Sequence, residues 1–450
     1  MMRRVFLSFL AILCLLFFDG VIGNGLSGQT DLDYKKAKEL AVSGRVDEAI
    51  NEYKRIISLN PKDPRGYNEL GNIYSMIGLF DEAVKELMKA IEVDPKYSDS
   101  YFNLGNIYLH IGKYLEALEN YQNALKLNPE SEYVRLNMGL VLSYLNRPDE
   151  SIAQYKKVLV KNEKSSQAYH FMGYAYFLKG DFNEAISNYK NAIELAPNNS
   201  EIHNNLAVAY YKIGEFDESL KCCEKAVIIE PQFSDAYCNM GNAYRIKNEW
   251  NKALESYARA ISLNNLSSES YYGIGTIYYL DERYDDAIKE LKKAITINPK
   301  LAEAHCNLGS AYREINMYDL AEKEYKSALM INPNLAEAHF NMGVLYGRMG
   351  KDELGRSSIE KAFEVIPDST RAEVSFSREY YNPDILNFDE LIKGFESDLK
   401  REPENIDVII TIGRLYEIKG EMLKALEYYN KYVELGGNNK SIKQRIDKIH

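Results

Sequence analysis

Six asparagines recur along the sequence at intervals of 34 residues or twice that number: Asn103, Asn137, Asn205, Asn239, Asn307 and Asn341. A primary amide carries two hydrogen-bond donors and an acceptor, so a row of amides can hold the backbone of an extended peptide while reading little of its sequence. A second interpretation stays open, in which the asparagine is simply part of a repeated structural unit. The chemistry that such a row offers is non-covalent binding.

Residues that could carry catalysis or hold a metal are scarce. The sequence contains no H-E-x-x-H, G-x-S-x-G or G-x-x-x-x-G-K-[ST] motif. His203, His305 and His339 occupy a position that Tyr67 and Tyr101 fill in other copies of the repeat, so these rings are interpreted as packing groups and not as zinc ligands. We therefore predict a protein that is not an enzyme, with no cofactor, no metal and no small-molecule substrate.

The charge of the chain argues against one class of ligand. Acidic residues outnumber basic ones, 66 to 55, and the formal net charge is −11. Charges of both signs are mixed along the predicted helices, which is typical of solvated surfaces. Sequence-independent binding to a phosphate backbone needs a basic surface, so we predict no nucleic-acid ligand.

The asparagines belong to a unit that recurs without insertion. In one copy, Tyr67, Leu70 and Tyr74 are spaced by three and four residues, which is the apolar stripe of an amphipathic helix. Ala83 and Leu87 begin the stripe of a second helix, and a proline closes most units because proline cannot continue a helix. The ten copies begin at residues 30, 64, 98, 132, 166, 200, 234, 268, 302 and 336.

Small residues recur at fixed positions of the unit. The eighth residue is glycine in eight of the ten copies, the eleventh is tyrosine in eight, and the twentieth is small in all ten. This sequence resembles the tetratricopeptide repeat family, whose 34-residue helix-turn-helix signature has these residues at these positions. The resemblance implies an all-α fold, a right-handed α-solenoid superhelix of stacked antiparallel helix pairs, in which an inner groove binds a polypeptide.

The resemblance also implies which side chains face the groove. It places the six asparagines there, together with an apolar strip formed by Phe102, Leu136, Leu140, Tyr174 and Phe177. Arg245 and Arg313 would lie further along and could meet an acidic side chain or a C-terminal carboxylate of the partner. Some apolar residues could instead turn inward between helix pairs, and this alternative stays open. Acidic residues at position 2, such as Glu201, are interpreted as first-turn residues that complement the helix dipole.

The two ends of the chain depart from the repeat. Residues 1–23 have a basic start, an apolar run over 5–18 and small residues at their end, which is the layout of a secretory signal peptide. We therefore predict an exported protein, periplasmic or secreted; the alternative is an uncleaved membrane anchor over 5–22. The other predicted segments are a linker at 24–29, ten repeat units at 30–369, a degenerate unit with an insertion at 370–405, a final unit at 406–439 and a capping helix at 440–450.

Four cysteines follow the predicted signal: Cys222, Cys223, Cys238 and Cys306. Their spacing is irregular, and the adjacent pair must point to different faces of a helix, so the pattern does not indicate a disulfide framework. A repeat core of this size does not need such cross-links. These residues are interpreted as ordinary core or surface positions.

The sequence favours a non-enzymatic scaffold that binds a partner protein or an extended peptide in its concave groove, in the cell envelope. Two alternatives are a self-assembling structural solenoid and a membrane-anchored adaptor. Positions shared by all copies specify stacking, whereas positions at which the copies differ can specify a partner. Position 5 is such a place, with Asn68, Phe102, Leu136 and His170 in successive copies.

Overall fold

The computed structural model describes residues 28–365, 388–419, 421–437 and 440–449. Within these residues every regular element is an α-helix, so the prediction of an all-α fold is confirmed. The predicted signal peptide, most of the linker and much of the degenerate unit at 370–405 lie outside the described residues. No helix among those described is long and apolar enough to cross a membrane.

The chain divides into two bodies, an N-terminal body at residues 1–239 and a C-terminal body at 240–450, with the division inside one helix. The helices of the N-terminal body are α1 (Gly28–Val42), α2 (Val46–Leu59), α3 (Pro64–Met76), α4 (Phe80–Val93), α5 (Ser98–His110), α6 (Tyr114–Leu127), α7 (Glu132–Tyr144), α8 (Pro148–Lys161), α9 (Ser166–Lys179), α10 (Phe182–Leu195), α11 (Ser200–Lys212) and α12 (Phe216–Ile229), followed by the start of α13 (Ser234–Ile246). Each of α1 to α11 packs against the next, so the body is a stack of helix pairs.

The C-terminal body contains the end of α13 and then α14 (Trp250–Leu263), α15 (Ser268–Leu280), α16 (Tyr284–Ile297), α17 (Ala302–Glu314), α18 (Tyr318–Ile331), α19 (Ala336–Arg348), α20 (Asp352–Glu364), α21 (Phe388–Arg401), α22 (Ile406–Lys419), α23 (Met422–Glu434) and α24 (Lys440–Ile449). Consecutive helices pack in pairs here as well. Ile392 and Phe395 of α21 lie in one buried cluster with residues of α19, α20 and α22 to α24. Helix α21 therefore packs into the same hydrophobic core as the helices before and after it.

One helix start differs from the predicted segments by two residues. Helix α1 begins at Gly28, so the last two residues of the predicted linker are helical. Helix α24 begins at Lys440, the first residue of the predicted capping helix. A shift of two residues is of the size by which helix ends fray.

Capping hydrogen bonds, prolines and left-handed turn residues mark the ends of these helices at the positions that the repeat pattern predicts. The Asp63 side chain accepts a hydrogen bond from the backbone N–H of Arg65 (3.1 Å), and Pro64 supplies the first helical residue of α3. Between α3 and α4 the chain turns through Gly78 at φ +79°, a left-handed conformation that costs glycine little. The asparagines Asn146, Asn248 and Asn316 take the same conformation in other units.

The core of each pair forms around a close contact between a small residue of the first helix and a large residue of the second. A Cβ atom added at Gly105 would lie only 2.6 Å from Cε1 of Tyr121. Tyr121 is completely buried, as are its counterparts Tyr155, Tyr257 and Tyr325. The small residue at position 8 is therefore a steric requirement of the joint.

Candidate functional site

The first helices of successive pairs lie next to one another. In the N-terminal body, α3 contacts α5, α5 contacts α7, α7 contacts α9, and α9 contacts α11; in the C-terminal body, α15 contacts α17 and α17 contacts α19. We call these helices the first-helix layer of each body. The candidate binding residues named from the sequence all belong to first helices, so this layer is where a binding site must be sought.

The asparagine row forms hydrogen bonds between neighbouring repeat units. In the N-terminal body the amide Nδ2 atoms donate to the preceding unit as follows: Asn103 to Asn68 Oδ1 (3.0 Å), Asn137 to Asn106 Oδ1 (2.8 Å), Asn205 to the His170 ring (2.9 Å) and Asn239 to Asn204 Oδ1 (2.8 Å). In the C-terminal body, Asn307 donates to Thr276 Oγ1 (3.0 Å) and Asn341 to Cys306 Sγ (3.6 Å). The amides therefore act as structural links between units, and their role in holding a peptide stays a prediction.

The predicted apolar strip is only partly accessible. Leu136 and Leu140 are buried in the hydrophobic core between helix pairs, so they are not groove residues. Phe102 and Phe177 are half-buried and pack against rings of second helices, with ring centroids 6.0 Å from Tyr121 and 5.3 Å from Phe182, respectively. Tyr174 is also half-buried. The strip is shorter than predicted because these two leucines pack into the hydrophobic core.

The arginines proposed to meet a partner's carboxylate are also engaged inside the protein. Arg313 is fully buried; its Nε donates to Glu314 Oε1 (2.9 Å), and its guanidinium reaches the side chains of Asn341 (3.2 Å) and Tyr279 (3.4 Å). Arg348 binds the other carboxylate oxygen of Glu314 (3.1 Å). A buried charge needs an internal partner, and Glu314 supplies one. Arg245 is likewise buried, so neither of the two arginines predicted to face the groove presents an open guanidinium.

Histidines at position 4 have the structural role expected from the repeat pattern. The rings of His203 and His339 hydrogen-bond with the backbone carbonyls of Pro197 and Pro333, both at 2.9 Å. The Tyr67 hydroxyl donates to the corresponding carbonyl of Pro61 (3.4 Å) in another unit. The ring therefore fastens the start of one unit to the closing proline of the unit before it. Among the described residues, no cluster of histidine, cysteine and acidic side chains could hold a metal ion.

Of the four cysteines that the structure describes, Cys223, Cys238 and Cys306 are buried. Burial raises the pKa of the half-buried Cys222 thiol to about 11, and the Glu218 carboxylate adds to this effect. Burial also raises the pKa of the Cys223 thiol well above its ordinary value. Such thiols are poor nucleophiles because the thiolate is the reactive form.

A further group of side chains stands out, from the start of the second helix α6 and from the first helices α7, α9 and α11. Tyr114, Tyr144, Tyr174 and Glu201, which we call the Tyr–Glu cluster, are all half-buried. The rings of Tyr114 and Tyr144 lie 5.1 Å apart. Burial raises the pKa of the Tyr144 phenol, and the negative charges of Tyr174, Tyr114 and Glu201 raise it further, so these groups are close in space.

Glu201 is the unusual member of this cluster. Burial, with a smaller contribution from the charge of Glu230, raises the pKa of its carboxyl group to about 7. The Oε1 atom is buried and has no hydrogen-bond partner in the part of the chain that the structure describes. The interpretation of Glu201 as an ordinary first-turn residue is therefore incomplete. A sequence signal existed for the aromatic members, because Tyr114, Tyr144 and Tyr174 are spaced by 30 residues, four short of the repeat length. Each therefore lies four positions earlier in its unit than the one before.

Comparisons with known proteins agree on the family and the fold. A family model described as "TPR repeat" matches residues 37–78, 77–112, 173–214, 275–316 and 309–350. Three described as "Tetratricopeptide repeat" match 98–131, 200–233 and 234–265; 136–186; and 336–369 and 406–438. None of the curated protein sequences matches this chain.

Several solved structures are similar. The human IFIT1 dimer with m7Gppp-AAAA is 21% identical, with a TM-score of 0.52 over 83% of this chain and 90% of that chain. YrrB, "a TPR protein with an unusual peptide-binding site", is 24% identical, with a TM-score of 0.35 over 41% of this chain and 95% of that chain. MamA protein is 30% identical, with a TM-score of 0.32 over 39% of this chain and 96% of that chain.

Proposed function

This chain belongs to the tetratricopeptide repeat family, and we propose that it is a non-enzymatic scaffold that binds a partner polypeptide on the first-helix layer of its N-terminal body. The observation that carries the proposal is the Tyr–Glu cluster. Tyrosine combines a large apolar ring with a polar tip, and such side chains are enriched where proteins bind one another. The asparagines and Arg313 are engaged internally, so the half-exposed tyrosines are the groups left to meet a partner.

A crosslinking experiment tests this proposal. A photoreactive phenylalanine analogue is placed at Tyr174 in the cells that make the protein, and a matched variant carries it at Val160, an exposed residue of the second helix α8. We expect a discrete crosslinked polypeptide, identified by mass spectrometry, from Tyr174 and none from Val160. Equal crosslinking at both positions, or none at either, would overturn the assignment of the binding face.

The self-assembling alternative gives a different outcome in the same experiment. If the first-helix layer binds a second copy of this chain, the crosslinked product will have twice the mass of the protein. Light scattering of the purified chain will then show growth with concentration. A partner of different sequence, with a chain that stays monomeric as its concentration rises, supports the scaffold.

We also propose that the ligand is a polypeptide and not a nucleic acid. The formal net charge of −11 supports this choice, as does the carboxylate of Glu201 within the cluster, since both repel phosphate. Human IFIT1 was solved with m7Gppp-AAAA, so a labelled RNA of that kind is a suitable probe. We expect no change in its fluorescence anisotropy when the protein is added at physiological salt, whereas saturable binding would exclude the polypeptide-only proposal.

The place of action is a further part of the proposal. The layout of residues 1–23 supports export to the cell envelope with removal of that segment. Mass spectrometry of the protein recovered from cell fractions tests this. A periplasmic or secreted chain that begins at Asn24 is the expected result. A full-length chain in the membrane fraction would favour the anchored adaptor, and one in the cytoplasm would exclude export.

A further inference from the structure

The surroundings of Glu201 set it apart from other acidic side chains of the first helices. It lies in the first turn of α11, and its charge raises the pKa of Tyr144 on α7 and of Tyr189 on α10, effects that add to those of burial and of Tyr174 on α9. Glu230, which follows α12, is the one charged group that shifts the pKa of Glu201 itself, and it is also negative. Aromatic rings and a like charge therefore surround the carboxyl group, without a compensating cation among the described residues.

The carboxylates of Glu69 and Glu269 have hydrogen-bond partners and serve as a comparison for Glu201. Glu69 is also half-buried, and burial raises the pKa of its carboxyl group, but hydrogen bonds from Asn68 Nδ2 (3.1 Å) and Asn72 and the charge of Lys38 oppose this shift. Glu269, at the same repeat position as Glu201, is exposed and accepts a hydrogen bond from the Ser268 hydroxyl (2.9 Å). Glu201 has one oxygen buried without any such partner.

An unpaired buried carboxylate is costly, because an ionised group loses water and gains nothing in exchange. Groups of this kind concentrate at functional sites, where a ligand supplies the missing interaction. The position also gives helix α11 an acidic first turn, but an exposed glutamate such as Glu269 does that without burial. The helix dipole therefore does not account for the burial of Glu201 among tyrosines.

We propose that the Tyr–Glu cluster is a subsite for a cationic side chain, lysine or arginine, of the partner polypeptide. The ammonium or guanidinium group pairs with the Glu201 carboxylate, a charge-assisted hydrogen bond that satisfies the buried oxygen. Its aliphatic stem lies on the rings of Tyr144 and Tyr174, whose faces also attract a cation. An acidic side chain is repelled by Glu201 and Glu230. This inference rests on the proposed polypeptide-binding function and adds the chemical class of the residue that is bound.

A selection experiment with defined probes tests the subsite separately from the function. Short random peptides displayed on phage are selected in parallel against the full chain, Glu201→Gln and the matched control Glu269→Gln. We expect lysine and arginine to be enriched among peptides bound by the parent and by the control. Peptides bound by Glu201→Gln should retain apolar residues and lose the basic enrichment.

Affinity measurements on one selected peptide give the size of the effect. Replacing its enriched lysine by norleucine should weaken binding to the parent by about tenfold, and should leave binding to Glu201→Gln nearly unchanged. Glutamine has the shape of glutamate, and circular dichroism of the variant confirms that it folds. Peptides that bind without basic enrichment, or basic enrichment that persists in Glu201→Gln, would overturn the subsite and leave the scaffold intact. A library from which no variant selects any peptide would overturn the scaffold proposal as well.

Discussion

Glu201 makes the stability of the protein depend on pH, because its carboxyl group holds a proton more tightly in the folded chain than in the unfolded one. Its pKa is about 7 in the folded state against an ordinary value of 4.5. Between these values the folded state keeps a proton that the unfolded state has released. The free energy of unfolding therefore falls as the pH rises from 4.5 to about 7, and this contribution is constant above that range.

Replacing Glu201 by glutamine removes this dependence. We expect Glu201→Gln to match the parent below pH 4.5 and to be more stable above pH 7, by at most about 3 kcal/mol. Urea unfolding of both proteins across this pH range measures the difference, in which the contributions of all other titrating groups cancel. Glu269→Gln should follow the parent at every pH. Parallel curves for Glu201→Gln and the parent would show that the carboxyl group titrates normally.

Asn137 gives a second prediction at the scale of one residue. Its amide donates to Asn106 Oδ1, which also accepts from the Tyr121 hydroxyl (2.7 Å). Asn137→Ala should lower the free energy of unfolding by about 1–3 kcal/mol, since a buried link between two repeat units is lost. The control is Asn120→Ala, a half-buried residue whose amide donates to the Glu116 carbonyl of its own helix. If both variants melt at the same temperature as the parent, the asparagine side chains do not stabilise the contact between repeat units.

At the scale of helices, the sequence predicted the pairs well, because spacing and small residues are periodic signals. Glycine at position 8 and tyrosine at position 11 recur in phase, so the helix pairs follow from the pattern alone. The direction of each side chain was less predictable. Leu136 and Tyr174 occupied similar places on a predicted strip, yet Leu136 is buried and Tyr174 is half-exposed. Whether a side chain is buried depends on how two neighbouring helices fit together. The repeat pattern of a single unit carries no information about that fit.

Two glycines test the contact between paired helices. A methyl group added at Gly105 meets the buried ring of Tyr121 at 2.6 Å, whereas one added at Gly347 of α19 meets nothing within 4 Å. Gly105→Ala should therefore destabilise the protein by about 1–3 kcal/mol through overpacking. Gly347→Ala should stabilise it by up to about 1 kcal/mol, because alanine loses less backbone freedom in a helix. Thermal melts with shifts in the same direction for both variants would contradict this assignment.

For the whole molecule, the proposed binding face is marked by departures from the repeat. Glu201 occupies a position where Glu269 and Glu303 look equivalent in sequence, and the tyrosines of its cluster come from three preceding units. Aligning the repeat units compares equivalent positions one unit at a time. Such a comparison does not reveal a cluster whose members come from different positions in several units. The spacing of 30 residues among Tyr114, Tyr144 and Tyr174 is the sequence signal that crosses units.

Coupling along the chain should be short-ranged. In the N-terminal body the contacts join sequence neighbours and successive first helices, so a disturbance has no direct route to distant pairs. Hydrogen exchange of Gly105→Ala should speed up at residues 98–127 and in the helix pairs on either side. Residues 200–229 of the same body should exchange as in the parent, because local opening there does not require the altered joint. Faster exchange throughout this body would instead show that it opens as one cooperative unit.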